Sequence, residues 1–253
     1  MKDIVVVIAS FHRRKLIQQT IESIKKNSIM DVQIVVVDNS RDSETPKYLK
    51  SLKDIIYFHF NETDYDYMEH ILVDTEIGRA FAASPESAYW NNKMSMGKIY
   101  TKGGQLAPPS KYIYFTQNDM YFLPGWDRAM TTALGYEDLI IVAGYSGSHG
   151  SNGRDVGYDR KVQNVGLVPG SSMMFRREDW DKIGTFPDYD EDNWMSYEMR
   201  GRGKNLGLIY PYIIIHCGYT STLVRGEETE RVKTGDAATV EQMMKEYPDI
   251  IYE

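Results

Sequence analysis

Ile4-Val5-Val6-Val7-Ile8-Ala9 and Ile34-Val35-Val36-Val37, the second closed by Asp38-Asn39-Ser40, are the stretches that decide the fold. Both are unbroken apolar runs rich in β-branched residues, the pattern of strands covered on both faces. Between them Ile17, Ile21 and Ile24 recur at helical spacing, and Ser10 stands ahead as an N-cap, so residues 12–27 are expected to form an amphipathic helix. Strand, helix and a second strand over 32–37 make a β-α-β unit within the first 38 residues, which implies a parallel α/β sheet.

Working outward, 45–53 reads as a short helix and 55–60 as a third strand. Residues 61–80 are acidic and aromatic without a period, and are expected to be a loop or insertion. Ser84 as cap and Pro85 at the first helical position predict a helix over 85–100. Gly103 to Ser110, with Pro108-Pro109, reads as a turn, and 111–116 as a strand that runs into Gln117-Asn118-Asp119. A helix over 126–134 and a strand over 139–143 follow. Residues 144–157 hold five glycines and read as a mobile loop. Beyond it come the end of a strand at 173–176, helices over 177–183 and 193–202, and a last strand over 208–215 that ends in His216-Cys217-Gly218. A tail helix is expected at about 237–247. No repeat or linker divides the chain, so a single domain over 1–253 is expected.

At 253 residues the chain can bury a core without disulfides. A content of 42% hydrophobic and 26% charged residues is that of a globular protein. The single cysteine, Cys217, allows no internal disulfide and fits a reducing compartment, so a cytoplasmic location is expected. The apolar runs are far too short to span a bilayer, and with a strand pattern starting at residue 4 no signal peptide is expected. A net charge of −7 argues against a protein that wraps nucleic acid.

Ligands of parallel α/β sheets bind at the carboxyl ends of the strands. Asp38, Asp119 and the Asp190-Glu191-Asp192 cluster follow strands, and so does His216. Carboxylates gathered at one edge repel one another unless a cation offsets them. Hard divalent cations take carboxylate oxygen, and histidine adds a nitrogen for manganese-like ions. Such an ion can neutralise a leaving diphosphate.

The order of these pieces resembles the family 2 glycosyltransferases of GT-A fold, from about residue 4 to about residue 218. Residues 5–14, Val-Val-Val-Ile-Ala-Ser-Phe-His-Arg-Arg, look like that family's first strand and nucleotide loop, which implies donor contacts from Ser10, Phe11 and Arg13. Residues 33–40 are similar to its second strand, whose terminal aspartate binds the nucleotide base, here Asp38. Residues 112–126 look like the metal-binding Asp-Xaa-Asp region, with Gln117 in place of the first aspartate, Asn118 beside the donor and Asp119 as the remaining ligand. Residues 170–186 look like the acceptor-side strand and helix. Glu191-Asp192, with Gly203 beyond, is similar to the Glu-Asp motif whose aspartate is the general base of an inverting transfer, here Asp192. His216 falls where several GT-A enzymes place a metal-ligating histidine.

The resemblance implies a Rossmann-like, mostly parallel nucleotide-binding sheet flanked by helices in one GT-A domain. A donor half would run to about 119, an acceptor half over 120–218, and a tail over 219–253. It implies Mn2+ or Mg2+ as cofactor and a nucleotide-diphosphate sugar, a UDP-sugar first, as donor. The acceptor could be a glycan, a lipid-linked carrier, a protein or a modified nucleobase.

Each residue also has a plainer reading. Asp38 and Asp119 could close turns, and Asn118 could be structural. Asp192 could cap the helix over 193–202, with Glu191 as the alternative base. His216 could be a satisfied core histidine, and Arg13 a solvated first-turn residue. Trp194 and Tyr197 are expected in the core rather than at an acceptor surface. A sugar nucleotidyltransferase or a dinucleotide-dependent dehydrogenase would need a glycine-rich loop after the first strand, and residues 10–14 contain no glycine. A binding module of the same fold that has lost turnover is the remaining alternative, and Gln117 is the feature that favours it.

Overall fold

In a computed structural model of the chain, residues 1–60, 96–144, 153–187, 191–217 and 245–251 are described, with only the backbone of 191–193. The N-terminal unit forms as its periodicity dictates: β1 (Lys2–Ser10), α1 (Arg14–Asn27), β2 (Val32–Asp38), α2 (Glu44–Ser51) and β3 (Ile55–His59). Next come α3 (Met96–Leu106), β4 (Ser110–Gln117), β5 (Met120–Phe122), α4 (Trp126–Leu134) and β6 (Leu139–Ala143). The hairpin β7 (Arg154–Gly157) and β8 (Arg160–Val165) leads to β9 (Ser172–Arg176) and α5 (Arg177–Ile183). Then α6 (Glu191–Gly201), β10 (Asn205–Tyr210) and β11 (Ile214–His216) close the described part.

Among the described residues nine strands join in the order β3-β2-β1-β4-β9-β6-β10-β8-β7, and β11 pairs with β5 in a small second sheet. β3, β2, β1 and β4 are mutually parallel, while β9 and β8 run against their neighbours. This is the mostly parallel α/β sheet flanked by helices that the first 38 residues predict. Alternation along β1 splits the core between its faces. Ile4, Val6 and Ile8 pack with Leu16, Ile17, Ile21 and Ile24 of α1 and with Trp126 of α4. Val5 and Val7 pack with Ile99 and Tyr100 of α3 and with Trp180 of α5.

Several expectations are corrected. Ser10 is the buried last residue of β1, not an N-cap; α1 starts at Arg14, after Arg13 in a left-handed conformation. Residues 103–106 are helix, not turn. The glycines there serve close approach: a Cβ on Gly103 would lie 2.1 Å from Val7 Cγ1, and one on Gly104 would lie 2.8 Å from the Trp180 ring. The end of the glycine-rich region is strand β7, which pairs with β8 in a hairpin turned by Tyr158 and Asp159 at φ 56° and 54°. That is the doubly left-handed geometry of a type I′ turn without its usual Asn-Gly signature. The last strand is two strands, β10 and β11, parted around Pro211, which has no N–H for a ladder. Helix α6 begins at Glu191, so Asp192 lies within its first turn rather than capping it. Trp194 and Tyr197, expected in the core, are 39% and 63% exposed. The loop over 61–80, most of the helix over 85–100, and most of the tail helix fall outside the described residues. No described helix is long and apolar enough to cross a membrane.

Candidate active site

The parallel register brings the ends of β1 to β4 to one edge. Ser10 is level with Asp38, Asp38 with His59, and Ala9 with Gln117. The chain leaving β1 must turn sharply into α1. It does so with His12 and Arg13 at φ 54° and 60°, a region that non-glycine residues seldom enter and that tends to mark ligand sites. The turn is held from both sides. Asn39 N–H donates to the Ser10 carbonyl at 3.0 Å, and His12 N–H to Ser40 Oγ at 2.6 Å. From β4, Asn118 Nδ2 donates to the Phe11 and His12 carbonyls at 3.4 and 3.0 Å. Asn118 thus clamps the loop after β1, which holds this turn without a glycine.

Asp38 is wholly buried and fully bonded. Its Oδ1 accepts the Ser40 N–H at 3.1 Å and the Ser40 hydroxyl at 2.6 Å, an Asx turn. Its Oδ2 faces the Tyr57 hydroxyl at 3.2 Å and His59 Nδ1 at 3.0 Å. Burial, and after it the Asp38 charge, raises the Tyr57 phenol well above its ordinary range, so it stays a neutral donor. Beyond Ser40, His12 Nδ1 meets Asp42 Oδ2 at 2.9 Å. Burial works against the charged Asp42, but the Thr45 N–H at 2.6 Å and His12 still hold it below the usual carboxylate range. Sequence reasoning passed over His12, Ser40, Asp42, Tyr57 and His59. The available signal was the polar His59 at the end of an apolar strand, level with Asp38.

Asp119 sits just beyond β4, and two side chains aim at it. Arg13 Nη1 and His216 Nε2 each lie 3.3 Å from its Oδ2, with the three side chains 20%, 19% and 7% exposed for Arg13, His216 and Asp119. The β5–β11 pairing sets His216 opposite Met120, and Cys217 N–H donates to the Asp119 carbonyl at 2.7 Å. The inner face of α1 secures the segment: Thr20 Oγ1 donates to the Asn118 carbonyl and accepts the Met120 N–H. Burial, and after it the Asp119 charge, pushes the Cys217 thiol up, which leaves it an inert core group.

Asp119 and His216 suit a divalent cation. A carboxylate oxygen and an imidazole nitrogen converge on one point, the mixed pair that manganese accepts. Among the described residues no third histidine, cysteine, aspartate or glutamate joins them. Further ligands would be diphosphate and water oxygens, the usual state of a nucleotide-bound ion. Arg13 offsets the Asp119 charge directly. The structure therefore brings together Ser10, Phe11, Arg13, Asp38, Asn118, Asp119 and His216. Glu191 and Asp192 are placed by backbone alone, in the first turn of α6.

Residues 5–65 match the family model described as glycosyl transferase family 2. No curated protein is similar in sequence. Among solved structures, that of GalNAc-T7 with UDP, GalNAc and Mn2+ superposes with a TM-score of 0.60 at 12% identity, over 85% of this chain. The chain spans 43% of the length of that protein. The chain has the GT-A fold, and residues 5–65 carry the sequence pattern of glycosyl transferase family 2.

Proposed function

We propose that the chain transfers a sugar from a nucleotide-diphosphate donor, a UDP-sugar first, to an acceptor hydroxyl with inversion at the anomeric carbon. The observation that carries this reading is the convergence of Arg13, Asp119 and His216 beside the strained turn of the family 2 segment. The nucleoside lies against Ser10, Phe11 and the Asp38 edge. The Arg13 guanidinium, planar and permanently charged, pairs with the diphosphate. Asp119 and His216 hold Mn2+ or Mg2+, which supplies charge neutralisation for the leaving diphosphate. That GalNAc-T7 was crystallised with UDP and Mn2+ supports the same donor chemistry here.

Asp192 takes the proton from the acceptor hydroxyl as its oxygen attacks the anomeric carbon and the nucleotide diphosphate departs from the opposite face. Its place in the first turn of α6 favours the ionised carboxylate through the helix dipole. Glu191 is the neighbouring carboxylate and the alternative base. One turn on, the exposed rings of Trp194 and Tyr197 lie three residues apart on one face of the helix and form a ledge on which an acceptor ring stacks. Glycan, lipid-linked, protein and modified-nucleobase acceptors are all compatible with it, and the buried single thiol accords with a cytoplasmic site of action.

The test is UDP release from a panel of UDP-sugars with Mn2+, with and without each acceptor class. Acceptor-stimulated release is expected, and the anomeric coupling of the product, read by NMR, checks inversion. Gln117, in place of a second aspartate before Asp119, favours one other reading, a binding module without turnover. UDP binding with no release on any acceptor would establish that reading instead.

A further inference from the structure

Asp38 ends β2 where the proposed donor places its base, yet it has no exposed surface and no oxygen to spare. A carboxylate offers about four lone-pair positions. Here Ser40 N–H, Ser40 Oγ, Tyr57 OH and His59 Nδ1 occupy four. A base could reach Asp38 only by displacing a neighbour, leaving a buried donor unpaired at about 1–3 kcal/mol. Of these neighbours, His59 is the one whose ring carries a second polar atom, Nε2, on the side away from Asp38. It is level with Asp38 at the carboxyl end of β3, and its side chain is 26% exposed. Among the described residues nothing hydrogen-bonds its Nε2.

We propose that His59 is the residue that reads the nucleobase, and that Asp38 acts through it as a positioning residue. This rests on the donor reading above. The chemistry follows from the hydrogen-bond network, from which the ring's tautomer is assigned. An ionised carboxylate only accepts, so Nδ1 carries the hydrogen toward Asp38. In the tautomer with Nδ1 as donor, Nε2 presents its lone pair at the site. A lone pair selects a pyrimidine with a ring N–H on its pairing edge, the imide of uracil or thymine. It repels cytosine, whose N3 is itself an acceptor. Tyr57, stacked on His59 with ring centroids 6.4 Å apart and its hydroxyl on the same carboxylate oxygen, fixes the ring plane.

The test is calorimetric titration of the full chain, with Mn2+ present, by UDP, CDP and N3-methyl-UDP. UDP is expected to bind about tenfold more tightly than the other two, the effect of one hydrogen bond made or blocked. In His59→Ala the three ligands should converge, chiefly through weaker UDP binding. In Asp38→Asn the amide can donate to Nδ1 and turn the tautomer, so the preference should move toward CDP. Thermal unfolding confirms that each variant is folded. A folded His59→Ala that keeps the full UDP preference overturns the proposal. So does a folded Asp38→Ala that loses the preference while His59→Ala retains it, because Asp38 would then touch the base itself. A wild-type chain that binds none of the three, with or without metal, removes the donor reading, and a chain that binds all three equally removes only the role of His59.

Discussion

Asp38 and Asp127 are both wholly buried aspartates, set at opposite ends of the same sheet and bonded in opposite ways. Asp127, in the first turn of α4, takes the backbone N–H groups of Ile29 and Met30 at 2.6 and 2.7 Å and that of Arg128 at 2.9 Å. Ile29 and Met30 lie in the turn that enters β2 at its amino end and Arg128 in α4 itself, and among the described residues the side-chain bonds of Asp127 stop there. Asp38, at the carboxyl end of β2, is bonded mostly to side chains, and these lead on to His12, Asp42 and the half-exposed rings of β3. Residue type and burial are the same in the two cases. What differs is whether the partners end in the frame or continue to the surface, and the second arrangement marks the site.

The contrast yields opposite expectations for substitutions at the two ends. The largest effect belongs to the reacting end. Asp192→Asn should leave the melting temperature nearly unchanged while turnover falls by about 10²-fold or more, with donor binding little altered. Glu191→Gln should be milder. A dead Glu191→Gln beside an active Asp192→Asn would exchange their roles.

At the framework end the signs reverse. Asp127→Ala removes the acceptor of the part-buried Ile29 and Met30 N–H groups and should lower stability by about 1–3 kcal/mol in urea denaturation, while the protein that remains folded binds UDP normally. A stable Asp127→Ala with weakened UDP binding would erase the distinction between the two aspartates.

The smallest effect is expected at the ledge. Trp194→Ala should raise the acceptor KM by about fivefold, the worth of one aromatic stacking contact, with the donor KM constant. Tyr197→Ala should act in the same direction. A change in donor KM alone would place these rings on the donor side.

Much of the frame is legible in the residues. The run 4–9, the spacing of Ile17, Ile21 and Ile24, and the run 34–37 define the parallel unit that the structure contains, because burial on both faces leaves few other patterns. The helix over 126–134 and the strand over 139–143 appear with the expected bounds. The errors share a cause. Gly103 and Gly104 look like a turn locally, and only their contacts with Val7 and Trp180 explain glycine inside a helix. The Tyr158-Asp159 turn carries no glycine of its own, so the hairpin is invisible to turn chemistry. In the site, Asp119 and His216 could be named individually, but their meeting depends on β5 pairing with β11 across nearly a hundred residues of chain. The occupied state of Asp38 depends on β3 lying in register beside β2, which no local pattern encodes.

In the proposed site a nucleotide diphosphate and a divalent cation share the point where Asp119, His216 and Arg13 converge. The most direct test is calorimetric titration of UDP into wild-type protein and Asp119→Ala, each with Mn2+ and with chelator. Mn2+ should strengthen UDP binding to the wild type, the gain should disappear in a folded Asp119→Ala, and sugar transfer should disappear with it. Equal UDP affinity with Mn2+ and with chelator in the wild type, or an undiminished Mn2+ effect in Asp119→Ala, would contradict it.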